Sequence, residues 1–206
     1  MHPEILTETQ ADVLRIVAPF ATDAGFYLSG GTAVALHLGH RRSLDFDWFA
    51  PLDFDADLLE DRLLALLPSV TITSKDDGTL HARASGVQLS FLRYLYPFLQ
   101  PVVGWTAFGC DLGSIPDLAA MKVAAVANRG SRKDFVDLYA MGVSGLTLPE
   151  MVRLYTRRFT DDDLAHVVRS LTYFNDAERE PMPEMLWPTS WNEMKSAVMA
   201  WARNLK

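Results

Sequence analysis

The stretch SGGTAVALHLGHRRSLDFDWF, residues 29–49, decides the reading of this chain. Two adjacent glycines precede a short apolar segment that stops at Gly39. Two arginines and an alternating Asp-Phe-Asp follow. A Gly-Gly turn lets the backbone approach a ligand closely. The helix behind it begins with N–H groups that have no internal partner, and these donors with the helix dipole favour phosphate. Ser29 and Thr32 add hydroxyls at the same place. Downstream, residues 43–49 alternate as a strand, with Leu44, Phe46 and Trp48 on one face and Ser43, Asp45 and Asp47 on the other. Carboxylates at i and i+2 share a face, with Cα atoms about 6.5–7 Å apart. That suits shared ligation of Mg²⁺, which takes a few hard oxygens and keeps its other positions for water and phosphate. Together these pieces predict a pocket for a triphosphate beside a metal. The spacings of a Walker loop and of a dinucleotide-binding turn are both absent.

Working outward, the pattern predicts helices at 4–20 and 32–38, a strand at 26–28, and a leucine-striped helix at 54–67. Residues 70–73 and 80–84 flank Asp76-Asp77-Gly78 as a hairpin, and strands follow at 87–94 and 102–108. Ser114-Ile115-Pro116-Asp117 reads as a helix start, with a serine cap, an early proline and an acid three residues on. That helix runs to about Asn128, and others are expected at 132–141, 149–158, 161–173 and 191–204. The chain therefore reads as α+β, with an α/β subdomain at 1–112 and a helical subdomain at 113–206 that completes the cleft.

The 206 residues carry a net charge of −7. Residues 1–112 hold 7 Lys/Arg and 14 Asp/Glu, and residues 113–206 hold 12 of each, so the whole acidic excess lies in the first part. Such a chain is a poor non-specific nucleic-acid binder, although Lys122, Arg129, Arg132 and Lys133 form a local basic cluster. Cys110 is the single cysteine, which excludes an intrachain disulfide and fits a reducing cytoplasm. MHPEILTETQ has neither a basic n-region nor an apolar h-region, so no signal peptide is expected, and no apolar run reaches membrane-spanning length. His37 and His40 sit three apart, but no further ligand is spaced to complete a zinc site.

The strand, the Gly-Gly-Thr turn, the helix and GHRRSLDFDWF resemble the nucleotidyltransferases of the DNA polymerase β superfamily, and within it the AbiEii/AbiGii toxin family. A second block, DLAAMKVAAVANRGSRKDFVDLYAM at 117–141, is similar to that family's helical lysine, arginine seven residues on, and Lys-Asp-Phe-x-Asp-Leu run. The resemblance spans residues 26–141, and residues 142–206 carry no recognised motif. It implies a polymerase-β-like mixed sheet with helices and a C-terminal helical subdomain. It also implies that Gly30, Gly31 and Thr32, with Ser29, cradle the triphosphate of an NTP, while Asp45 and Asp47 bind Mg²⁺ or Mn²⁺. Arg41 and Ser43 fall in a His-Arg-x-Ser stretch, where Arg41 either neutralises phosphate or pairs with a carboxylate. Lys122 and Arg129 share a helix face and reach the triphosphate on this reading, and Asp134 joins the catalytic set or ties those cations.

One departure stands out. The resemblance implies a third carboxylate on a neighbouring strand, and VQLSFL (87–92) offers only Gln88 or Ser90, so either Asp111 or Asp134 serves as the base or substrate protons leave to water. The expected activity is nucleotide transfer from an NTP to an acceptor hydroxyl, on an RNA end such as tRNA or on a protein, by the toxin of a toxin–antitoxin pair with a cognate antitoxin. A small-molecule nucleotidyltransferase of the antibiotic-modifying kind and a non-catalytic nucleotide-binding module stand as alternatives.

Overall fold

A computed structural model describes residues 1–160 and 164–205. The chain opens with a 3₁₀ turn at Pro3–Ile5 and then α1 (Glu8–Asp23). The expected start at residue 4 moves because Thr7 and Gln10 form a capping box, which fixes the first helical turn after Leu6. β1 (Tyr27–Ser29), α2 (Gly30–Leu38), β2 (Asp45–Ala50) and α3 (Ala56–Leu66) follow. Next come β3 (Thr71–Asp76), β4 (Thr79–Ala84), β5 (Val87–Arg93), β6 (Val103–Trp105) and β7 (Cys110–Leu112). The strand expected at 102–108 is shortened to Val103–Trp105, because the chain turns through Thr106–Gly109, with Gly109 at φ +64°, and the β7 that follows the turn was not expected. These strands form a seven-stranded mixed sheet in the order β3-β4-β5-β2-β1-β7-β6.

The helical part comprises α4 (Ile115–Asn128), α5 (Arg132–Val143), α6 (Leu148–Phe159), α7 (Leu164–Ser170) and α8 (Trp191–Ala202). The start of the helix expected at 161–173 lies outside the described residues. Ser114, Thr147 and Ser190 cap α4, α6 and α8 through their side chains. One hydrophobic cluster runs from Ile5 to Ala202, so the sheet and the helices share a core. Phe46 and Trp48 are fully buried in it, as the alternation requires. Leu44 is not: it is 71% exposed, because the strand begins one residue later, at Asp45. Gln10 donates from Nε2 to the Ser43 carbonyl at 2.6 Å and fixes the chain just before that strand.

Gly142 of α5 lies against the ring of Trp201 in α8, and a Cβ there would overlap the indole. Trp201 stacks on Tyr139 with centroids 5.9 Å apart, so the ring has little freedom to withdraw. Gly142→Val should cost about 1–3 kcal/mol by overpacking. Thermal denaturation should show a lowered Tm; an unchanged Tm would mean that α8 packs elsewhere.

Candidate active site

The register of two parallel strands builds the floor of the main cleft. Asp45 pairs with Gln88, Asp47 with Ser90, and Phe49 with Leu92. Successive residues of a strand alternate faces, so Asp45, Asp47 and Phe49 look the same way. They open into a cleft of about 630 Å³. Ser90 stands beside Asp47, in the place where a third carboxylate was sought in the sequence.

Burial pushes the Asp47 carboxyl up from its ordinary range; a hydrogen bond from Ser90 opposes this, and the neighbouring charge of Asp45 adds to it. A desolvated carboxylate beside a second one is a site short of positive charge. Among the described residues no set of three or more His, Cys, Asp or Glu side chains converges to hold a metal ion. The paired hard oxygens of the cleft that could hold a cation are those of Asp45 and Asp47. Hard oxygens in that number fit Mg²⁺, whose remaining positions are taken by water and phosphate.

One end of the cleft is the N-terminus of α2. Gly30 has φ +66°, and a Cβ on it would lie 2.6 Å from Asp47 Oδ2. This position needs glycine twice, for its backbone angle and for the approach of the carboxylate. Ser29 makes no capping bond; its hydroxyl is buried and faces Met121 Sδ at 3.4 Å. The first N–H groups of α2 are therefore free of a side-chain cap. The hydroxyl of Thr32 is likewise occupied, by Ser43 Oγ at 2.7 Å and by the carbonyl of Asp45, to which it donates. These bonds staple α2 to the entrance of β2.

The opposite wall is α4 with α5 behind it. Gly130 takes φ +57° and turns the chain so that α5 folds back on α4. Asp134 and Asp137 of α5 then point inward, both fully buried. Asp137 accepts from Arg41 at both oxygens, from Nε at 2.6 Å and Nη2 at 3.0 Å. It also meets His40 Nε2 at 2.8 Å and Lys122 Nζ at 2.7 Å. Asp134 takes Lys122 at 3.0 Å, Arg129 at 2.7 and 2.9 Å, and the Ser131 hydroxyl at 2.7 Å.

Burial alone would raise both carboxyls. Arg41 and Lys122 outweigh it at Asp137, and Lys122 and Arg129 at Asp134, so both sit far below the usual carboxylate range. Burial also lowers His40, against the pull of Asp137. Three cations thus face two carboxylates, and the surplus positive charge borders the cleft.

Of the residues named from the sequence, Gly30, Gly31, Thr32, Arg41, Ser43, Asp45, Asp47, Lys122 and Arg129 all line this one cleft. The side chains of Ser29 and Asp134 do not reach it. Arg41 pairs with a carboxylate, and that carboxylate is Asp137. Asp111 lies on β7, two strands from β2 and outside the cleft lining. His37 Nε2 donates to the Gly113 carbonyl, 2.9 Å away, apart from His40.

Sequence reasoning missed the segment at 183–187. Glu184 bonds Arg42 through its backbone carbonyl and its carboxylate, Met185 bridges Arg41, and Trp187 stands 5.8 Å from the His40 ring. No local pattern announces these contacts. The cleft residues Asn128, Tyr94 and Lys133 were readable only from the strand and helix phases.

The mixed sheet, the carboxylate pair beside a helix N-terminus and the facing helical wall define a protein of the nucleotidyltransferase fold. Solved structures agree. MenT4, a nucleotidyltransferase toxin of Mycobacterium tuberculosis H37Rv, superposes with a TM-score of 0.60 at 16% identity, over 100% of this chain and 88% of that one. JHP933 of Helicobacter pylori superposes with a TM-score of 0.59 at 19% identity, over 96% and 92%. Residues 99–204 match the family described as the nucleotidyl transferase AbiEii toxin of Type IV toxin–antitoxin systems. An uncharacterized protein of Aquifex aeolicus (strain VF5) is 35% identical over 193 residues, 92% of each chain. The chain belongs to the AbiEii nucleotidyltransferase toxin family, and it is a nucleotidyltransferase. The family match reaches through the C-terminal helices, where the sequence reading had found no motif.

The depressed carboxyls of Asp134 and Asp137 contribute stability that is complete above their unfolded value of about 4 and is lost as pH falls through their lower folded values. Asp137→Asn should lose about 3–5 kcal/mol in urea denaturation at neutral pH, because it leaves buried cations underpaired. Its deficit should shrink on acidification below about pH 4. Asp47 has the opposite sign: its raised carboxyl costs stability once pH exceeds its unfolded value. Metal-free Asp47→Asn should therefore be as stable as the wild type or more so at neutral pH. A large loss in that variant would make Asp47 structural.

Proposed function

We propose that this chain transfers a nucleotide from an NTP to a hydroxyl at an RNA end, such as that of tRNA, as the toxin of a toxin–antitoxin pair. One observation carries this reading: the paired carboxylates Asp45 and Asp47, the uncapped start of α2 and the buried Lys122 all open into the same cleft.

In this reading the N–H groups at Gly30, Gly31 and Thr32 hold the β- and γ-phosphates. Arg41, Lys122 and Arg129 neutralise the charge that accumulates on the triphosphate and the departing pyrophosphate. Ser43 and Thr32 hold the backbone of Asp45 in place through their mutual hydroxyl bond. Asp134 acts through others: it fixes Lys122 and Arg129 toward the cleft and is itself too enclosed to take a proton from substrate. Asp45 and Asp47 would hold Mg²⁺ or Mn²⁺, which when bound would polarise the α-phosphorus and screen the triphosphate from the carboxylates. The reaction forms one bond from the acceptor oxygen to the α-phosphorus and breaks the bond to pyrophosphate.

Incubating the protein with α-labelled NTPs, Mg²⁺ and total tRNA tests this. Label should enter RNA, and Asp45→Asn or Asp47→Asn should reduce the rate by at least about a thousandfold, on the scale of removing a metal-based charge clamp. Label on an aminoglycoside and not on RNA would favour a small-molecule acceptor. Undiminished transfer by either variant would remove the carboxylates from the mechanism.

A further inference from the structure

The cleft floor does not end at the carboxylates. Beyond Asp47 on the same face of β2 comes Phe49, with Leu92 beside it on β5, one strand repeat or about 6.5–7 Å further on. Tyr94 extends the row: its N–H donates to the Ala50 carbonyl at 2.8 Å, which carries the strand pairing past the end of β5. Phe49, Leu92 and Tyr94 all line the cleft. The rings then continue outward. Phe49 meets Tyr94 at 5.0 Å, Tyr94 meets Tyr96 at 5.0 Å, and Tyr96 meets Phe159 at 4.7 Å. Tyr96 is 47% exposed and the neighbouring Leu95 60%.

We propose that this aromatic row, Phe49–Tyr94–Tyr96, is the acceptor subsite, on which the single-stranded end of the acceptor nucleic acid stacks its bases. The inference rests on the reading that the acceptor is RNA.

Direction supports the assignment. β1 runs antiparallel to β2, so Ser29 lies opposite Asp47 and Tyr27 opposite Phe49. The phosphate-facing turn at Gly30 therefore sits at the Asp45 end of the floor, and the rings sit at the Ala50 end. In-line displacement places the attacking hydroxyl across the α-phosphorus from the departing pyrophosphate. The rings occupy that far side. Bases of single-stranded nucleic acid have exposed faces that stack on aromatic side chains, whereas paired bases do not offer them. Arg129 and Lys133 line the facing wall and match the charge of the backbone.

The row is also held in place before any ligand arrives. Asp117 accepts the N–H groups of Leu99 and Gln100 at 2.9 and 3.0 Å, which pins the loop after Tyr96. The same carboxylate pairs with Arg158, whose guanidinium lies 5.3 Å from the Tyr94 ring. A prefixed platform spares the cost of ordering it on binding.

The test uses the full-length protein and a short single-stranded RNA carrying fluorescein at its 5′ end, with the same RNA in a blunt duplex for comparison. Anisotropy should show binding of the single strand in preference to the duplex. Tyr96→Ala should weaken it roughly tenfold, the loss of one stacked base, while Tyr96→Phe keeps the affinity. Leu95→Ser removes exposed apolar surface from the same loop and no ring, and should bind as the wild type does. In the transfer assay Tyr96→Ala should raise the KM for RNA far more than it lowers kcat.

Equal binding by Tyr96→Ala, absence of single-strand binding by the wild type, or an equal loss in Leu95→Ser would each overturn the subsite. The last outcome would mark the loop as an apolar surface for a protein. If RNA binds through Tyr96 and receives no label, transfer to RNA fails and the row is a single-strand binding surface that serves no acceptor. If RNA is labelled with an unchanged KM in Tyr96→Ala, the subsite fails and transfer stands.

Discussion

The carboxylate of Asp137 is the point on which both walls of the cleft depend. It is fully buried, and a buried charge is tolerated only when partners surround it. Its partners come from two places far apart in the chain: His40 and Arg41 lead into β2, and Lys122 belongs to α4. Holding all three fixes α5 and α4 against the segment that delivers Asp45. Gly31 follows from the same constraint. A Cβ there would lie 2.5 Å from Arg41 Nη2, so the second glycine of the turn makes room for the guanidinium that Asp137 holds. The pair of glycines thus answers two demands. Gly30 yields to Asp47 and the turn, and Gly31 yields to Arg41.

Two charge clusters meet in the cleft without cancelling. Arg41, Lys122 and Arg129 exceed Asp134 and Asp137 by one positive charge, and they are locked by short bonds. Asp45 and Asp47 lie apart from that lattice. Burial and the neighbouring charge of Asp45 hold the Asp47 carboxyl high, against a hydrogen bond from Ser90. A neutral ligand would relieve neither cluster. On the proposed reading, a metal–triphosphate complex would present a cation to one and anions to the other, and both halves of the motif would serve one ligand.

Most of the elements were legible because their signals are local. Asp-Phe-Asp alternation gave β2 and its buried Phe46 and Trp48. Ser114-Ile115-Pro116-Asp117 gave the start of α4 to the residue, since cap, proline and acid act within one turn. The misplaced features depend on distant partners. Leu44 fits the alternation by itself, but Gln10 and Thr32 hold the chain at Ser43 and the strand starts after it. β7 has three residues and exists through its neighbours β1 and β6. The contacts of Glu184 and Met185 with Arg41 and Arg42, and the Asp117–Arg158 pair, join residues far apart in sequence, and no period encodes such meetings. The candidate site fared similarly. Its residues could be named from the motifs, whereas the partner of Arg41 and the enclosure of Asp134 needed the fold.

The residue beside Asp47 then acquires a physical meaning. Ser90 is 3% exposed, so an acid in its place would bury a third carboxylate next to a pair already short of positive charge. That acid would itself be hard to ionise and would push the Asp47 carboxyl up further, and the site would need a second cation to ionise fully. A hydroxyl instead donates a hydrogen bond that favours the charged form of Asp47. The pair then carries a charge that one divalent ion can match. Nothing is drawn from Arg41, Lys122 and Arg129, whose surplus stays on the wall of the cleft. The serine and the buried cation lattice are in this sense a matched set: one limits the negative charge on the floor, and the other supplies the positive charge on the wall.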